Sequence, residues 1–308
     1  MLDTRPLESR AMKKSPSFRA ATPGRPRRSD KVAVPDYSEG LQIKTEDPDP
    51  RFNNALARGL ALLRAFQIDR TLLGNLELAQ ITGLSRPTVS RLSHTLTQLG
   101  YLRYREEFGK YELAAGVVGL AYPYLANQAV PPIARPLMVE LARKTMTNIG
   151  LGVQEELSVF YLEYALGETN PNRLQRAGFR VPVARTAMGR ACIAGMRPEQ
   201  RERLYEHMRA YYKGEWQALR EELDDAVSQV QVNGYCIAAG TFNVTTNTVA
   251  VPFVHGDGHT VMAFNSQGHA QRQTAAVMKQ NGKRLIELTQ EVRRRLADAP
   301  RGPSLGHR

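Results

Sequence analysis

The chain has 308 residues, 42% of them hydrophobic, and carries 42 Lys and Arg against 30 Asp and Glu, a formal charge of +12. That length suffices for two domains with tails, and no stretch approaches ~18 uninterrupted apolar residues, which excludes a membrane-spanning helix. The N-terminus lacks an apolar secretory core, and two cysteines without CxxC spacing, Cys192 and Cys236, fit buried hydrophobes in a reducing cytoplasm.

The charge is unevenly placed. Residues 1–30 hold eight Lys and Arg against three acids, residues 279–308 again eight against three, and residues 51–125 nine against five. Much of the excess therefore lies in the tails and supports nucleic-acid binding only weakly. Residues 1–50, rich in Arg, Ser, Pro and Asp without apolar periodicity, are expected to be a disordered tail, and 298–308 are expected to be a second tail.

A helix from Asn54 to about Gln67 offers Leu56, Leu60, Leu63 and Phe66 as one wall of a small core. A second helix is expected near 75–82 with Asn75 as its cap, followed by a turn at Gly83 with Leu84 as a plug. In 86–99, Val89, Leu92, Leu96 and Leu99 recur at steps of three and four. Ser85 caps that helix, Pro87 suits its first turn and Gly100 ends it. The other face leaves Arg86, Thr88, Ser90, Arg91 and His94 to meet phosphates or base edges with Ser85 at the tip. Residues 101–104 and 110–113 read as a hairpin, a wing whose Arg103, Arg105 and Lys110 are placed to meet the DNA backbone. A winged helix-turn-helix over 51–114 results.

Three segments carry a family likeness. Arg58–Phe66, Thr82–Val89 and Leu99–Leu102 resemble the winged-helix domain of IclR-type transcription regulators, and the likeness covers roughly 54–297. It departs at Gly74-Asn75, where the family more often has a Thr or Ser cap.

A linker helix is expected over 115–130 with Val117, Val118, Leu120, Ala121 and Leu125 exposed, kinked or shortened at Pro123. Such an apolar helix fits packing on a second copy, the alternative being packing on its own domain. A dimer would supply the two recognition helices that a palindromic site requires. From 131 to 297 a helix, strand-like runs at 151–154, 159–164, 235–238, 248–253 and 260–264, intervening helices and a final helix from about 271 give an effector domain. The fold class is thus α+β: an N-terminal winged helix-turn-helix, a linker helix and a C-terminal α/β domain with a mostly antiparallel sheet.

Within the resemblance, the run Gly178–Ala191 implies a loop and helix start that line a ligand pocket, which makes Ala184, Arg185, Thr186, Ala187 and Met188 effector candidates. Thr186 can cap that helix, and its free N–H groups favour a carboxylate. Ala187, Gly189 and Ala191 keep the approach open, though small residues equally serve packing of the helix on a sheet. Relatives often carry acids in the run Gly234–Asn243, and this chain has none until Asp257. Lining by Met188, Cys236, Phe253 and Met262 would suit an aromatic or short aliphatic acid.

No nucleophile elbow, phosphate loop, HExxH or paired carboxylates occur. His255-Gly256-Asp257-Gly258-His259 reads as a hairpin turn rather than a metal site, and no cofactor is expected. The sequence points to a ligand-responsive regulator that binds double-stranded DNA and a small molecule, an organic acid by its pocket, as a homodimer or a tetramer built from dimers. The alternative is an enzyme or sensor whose winged helix serves protein interaction.

Overall fold

The computed structural model describes residues 39, 45, 47, 49–167, 175–254, 256 and 258–299. The expected tails, apart from those few residues at each end, lie outside this set, as do His255 and Asp257.

The N-terminal head contains α1 (Asn54–Arg64), α2 (Asn75–Thr82), α3 (Arg86–Gln98) and a wing of β1 (Leu102–Arg105) and β2 (Lys110–Leu113). Leu62, Ala65, Phe66, Leu78, Val89, Leu96 and Leu102 are buried together, each large side chain contributing roughly 1.5–3 kcal/mol on leaving water. The buried face of α1 is rotated from the expected one. Ala61 and Leu62 turn inward because α1 packs against α3, and Leu56 and Leu60 stay exposed. Leu99 is the C-cap of α3 rather than a core residue, and it is exposed.

Asn75 is the first helical residue of α2, and Gly74 is its N-cap. The reason is Glu77, whose Oε2 accepts the Gly74 N–H at 2.7 Å and satisfies the helix end without an Asn cap. Gly83 ends α2 at φ 72°, a left-handed conformation that glycine adopts without cost.

The linker helix α4 (Gly116–Ala126) runs through Pro123 and ends shortly after it. No residue of α4 is buried. The prolines at 131 and 132 do not break the chain but open α5 (Val130–Thr145), where the missing N–H groups are ones a first turn does not use.

The second domain is a six-stranded sheet in the order β5-β4-β3-β8-β7-β6, with every recorded pairing antiparallel. Its strands are β3 (Asn148–Glu155), β4 (Ser158–Ala165), β5 (Arg180–Pro182), β6 (Cys236–Ala239), β7 (Thr246–Val254) and β8 (Val261–His269). The short edge strand β5 was not anticipated. Helices cover both faces. On one, α5 and α9 (Ala275–Asp298) close over Ile149, Leu151, Val251, Phe253, Met262 and Phe264. On the other, α6 (Ala187–Gly195), α7 (Pro198–Tyr212) and α8 (Trp216–Asn233) close over Val159, Tyr161, Cys236, Ala250 and Ala263.

Candidate DNA-binding surface and effector cavity

Helix α3 is fastened at its start and presented by its back. The Ser85 hydroxyl accepts from Thr88 N at 3.4 Å and lies 2.9 Å from the Thr88 hydroxyl. Val89, Ser93 and Leu96 are buried beneath, while Ser85, Arg86, Ser90, Arg91 and His94 are exposed and Thr88 is half-buried. Thr88 is thus partly committed to the cap. Arg86 and Arg91 form no ion pair among the described residues, so two guanidinium groups stand on a rigid helix without a carboxylate.

The wing is different. Lys110 Nζ lies 2.7 Å from Glu77 Oε1 and ties β2 to α2. Arg105 reaches Glu107 at 3.0 Å and Glu112 at 3.4 Å, and Arg103, 63% exposed, shares Glu112 at 3.7 Å. The three cations of residues 102–113 are balanced by Glu106, Glu107 and Glu112. The wing therefore offers shape and Arg103 rather than a net positive charge, and Lys110 acts inside the head. Pairing across 33 residues of sequence left no local signal of this.

In the second domain a cavity of about 30 Å³ opens at the N-terminus of α6. Thr186 caps this helix: its hydroxyl accepts from Gly189 N at 3.2 Å and donates to Pro182 O at 2.9 Å. The lining includes Thr186, Ala187 and Met188 from the expected set, joined by Tyr161, Gln175, Thr248, Asn265 and Gln267, which sequence reasoning did not select. No lining side chain is charged. Two hydrogen-bonded sets hold the polar groups: in one, Asn148 Nδ2 donates to the Tyr164 hydroxyl at 2.7 Å, which donates to Gln175 Oε1 at 2.5 Å. In the other, Asn265 Oδ1 accepts from Gly150 N at 3.0 Å, and its Nδ2 donates to the Tyr161 hydroxyl at 3.2 Å.

The remaining candidates lie elsewhere. Phe253 and Met262 pair across β7 and β8 and point to the opposite face, under α9. Side chains alternate along a strand, and both faces here are covered by helices, so an apolar residue carries no mark of its side. Ala184 and Cys236 are buried against α6, where Cys236 Sγ donates to Ala187 O at 3.5 Å. Arg185 turns away to Glu39 at 2.9 Å and Glu215 at 2.6 Å. A Cβ at Gly189 would fall 2.0 Å from Val183 O, so its smallness serves packing of α6.

Met188 of the lining packs over Gly152 of β3. A Cβ at Gly152 would lie 2.5 Å from Met188 Sδ and 2.7 Å from Val159 Cγ1. Met188 fills the space that glycine leaves. A volume of 30 Å³ holds about one water, so a larger molecule fits only where a lining side chain moves, and Met188 is the flexible one.

Among the described residues no cluster of His, Cys, Asp and Glu could hold a metal ion. His259 lies 2.7 Å from Arg197 through Nδ1. No helix among them is long and apolar enough to cross a membrane.

The IclR helix-turn-helix domain matches residues 55–106, and the bacterial transcriptional regulator IclR C-terminal domain matches residues 122–294. The HTH-type transcriptional regulator TsaQ1/TsaQ2 of Comamonas testosteroni is 29% identical over 82% of this chain and 91% of its own. The crystal structure of an IclR family transcriptional regulator from Brucella abortus superposes with a TM-score of 0.73 at 37% identity, covering 85% of this chain and 98% of that one. An IclR homologue from Microbacterium hydrocarbonoxydans, solved in complex with 4-hydroxybenzoate, shares the fold with a TM-score of 0.62 at 22% identity, over 80% of this chain and 100% of that one.

Proposed function

The chain belongs to the IclR family of DNA-binding transcription regulators, and from that premise we propose that α3 reads a palindromic operator while the cavity under α6 binds a small organic acid. The family is one of regulators rather than enzymes. The observation that carries the operator reading is the exposed pair Arg86 and Arg91, without a carboxylate partner among the described residues, on a helix whose other face is locked in the core. Arginine reads guanine edges or neutralises phosphate, and either use needs an uncommitted guanidinium. Loss of operator binding in a gel-shift series with both arginines replaced by alanine supports the assignment, and unchanged binding removes it.

The effector reading rests on the chemistry of the cavity. The backbone N–H groups of Ala187 and Met188 start α6 unpaired within the helix, where the helix dipole favours an anion. Around them stand neutral hydroxyl and amide donors, with Met188 and Phe242 as apolar wall. A small aromatic or short aliphatic carboxylate matches this set, and the 4-hydroxybenzoate held by the Microbacterium relative is of that class. A thermal-shift screen against such acids tests it, with a ligand-induced rise lost in T248V as the supporting result.

Helix α4 supports a homodimer. Val118, Leu120, Tyr122 and Tyr124 expose half or more of their surface on one short helix, more apolar surface than a solvated linker retains. Two copies joined there would present two α3 helices to the two half-sites of a palindrome. Effector control then requires different effector affinity in the DNA-competent and incompetent arrangements. Such a protein works in the cytoplasm, beside the DNA.

A further inference from the structure

A second and larger cleft, of about 730 Å³, lies between the head and the sheet domain. Phe66, Ile68 and Leu113 line it from the head, and Phe160 and Phe179 from the domain. Ile68 and Leu113 are 46% and 41% exposed, although each forms part of an apolar wall. Three guanidinium groups, those of Arg64, Arg176 and Arg180, lie on its lining against the single carboxylate of Glu112. Glu112 is already met by Arg103 and Arg105. Arg64 lies 3.5 Å from Glu156, and Arg180 donates to Ser158 Oγ at 2.9 Å. Arg176 is exposed and forms no ion pair among the described residues.

Aromatic walls with cationic groups at the margin recognise a molecule that is flat and apolar on its body and negative at one end. We propose that this cleft is a second small-molecule site, separate from the α6 cavity, that binds an aromatic carboxylate or sulfonate. The two cavities share no lining residue, yet one segment serves both. Gln175 and Val181 line the α6 cavity, and Arg176 to Arg180 between them line the cleft. Phe179 O accepts from Tyr161 N at 2.8 Å and Gly178 N donates to Tyr161 O at 2.8 Å, which fixes that segment to the cavity wall. An anion held in the cleft bridges head and sheet domain and bears on the effector cavity through residues 175–181, so occupancy of one site changes affinity at the other.

Fluorescence titration of the full chain with anilinonaphthalene sulfonate, an aromatic sulfonate of this class, tests the site. The expected result is saturable binding that weakens roughly tenfold in both I68E and R176E. Both positions are exposed, so the melting temperature of each variant should stay near that of the parent. Two comparison variants place the probe: T248V alters the α6 cavity, and L120E alters the exposed linker helix and any association through it, and neither position lines the cleft. Weakening in both cleft variants with T248V and L120E binding as the parent does supports the proposal. Any other pattern, including no saturable binding at all, overturns it.

Discussion

Glu77 and Lys110 form the joint of the DNA-binding head, with Glu77 Oε1 2.7 Å from Lys110 Nζ and Glu77 Oε2 accepting the N–H that opens α2. The Lys110 ammonium, and after it the Gly74 N–H, hold this carboxyl below the usual carboxylate range. A group with a depressed folded value stabilises the protein at neutral pH, and that contribution fades as pH falls below its ordinary value of 4.5 and through the folded one. E77Q should therefore flatten the acid side of the stability profile. Because the pair is partly exposed, K110M should cost only about 0.2–1 kcal/mol, measured by denaturant melts, and should reduce the salt dependence of DNA binding less than R103A does.

Arg91 is exposed on α3 and forms no ion pair among the described residues. R91A should weaken operator binding by roughly 1–3 kcal/mol if the side chain reads a base, or lower the salt slope by about one if it meets a phosphate. Binding isotherms at several salt concentrations separate the two outcomes. Equal affinity and equal slope would remove Arg91 from the interface.

Leu120 is 58% exposed on a helix with no buried residue. L120E should leave a monomer intact but dissociate a dimer joined through α4, since a carboxylate in an apolar interface costs several kcal/mol unless paired. Light scattering on the parent and the variant reads this directly. An unchanged mass would place the interface elsewhere.

Gly152 lies under Met188. G152A puts a methyl 2.5 Å from Met188 Sδ and 2.7 Å from Val159, so overpacking should destabilise the domain by about 1–3 kcal/mol. M188A should do the reverse for the ligand: it opens the cavity, and thermal-shift responses should extend to larger acids than the parent accepts.

Cys192 and Cys236 are buried without a disulfide. Burial pushes both thiols up, Cys236 to about 12, and the thiolate is the reactive form. Thiol reagents at neutral pH should therefore label neither in the native protein and both in denaturant. Rapid native labelling would contradict the packing of α6 on β6.

Much of this organisation was legible beforehand. Ser85, Pro87 and Gly83 carry helix-end chemistry that is local, and the steps between Val89, Leu92 and Leu96 fix the buried side of α3 within one helix. Thr186 is legible for the same reason, as a cap read from its neighbours. Failures came where the deciding partner was distant. Leu56 and Leu60 have the spacing of a core face, but α3 meets α1 through Ala61 and Leu62. Phe253 and Met262 are apolar strand residues in a sheet buried on both sides, and composition cannot tell one side from the other.

By itself, the sequence determined the winged head, the linker helix, the antiparallel sheet with its helices and the face of α3 that points outward. Each of these follows from periodicity and capping, which act over a few residues. Tertiary structure alone decided that Lys110 belongs to Glu77, that the cavity under α6 is walled by Tyr161, Gln175, Asn265 and Gln267, and that residues 175–181 stand between that cavity and the interdomain cleft. Those facts depend on strand register and on charges that meet across the fold, and neither is encoded in the spacing of neighbouring residues.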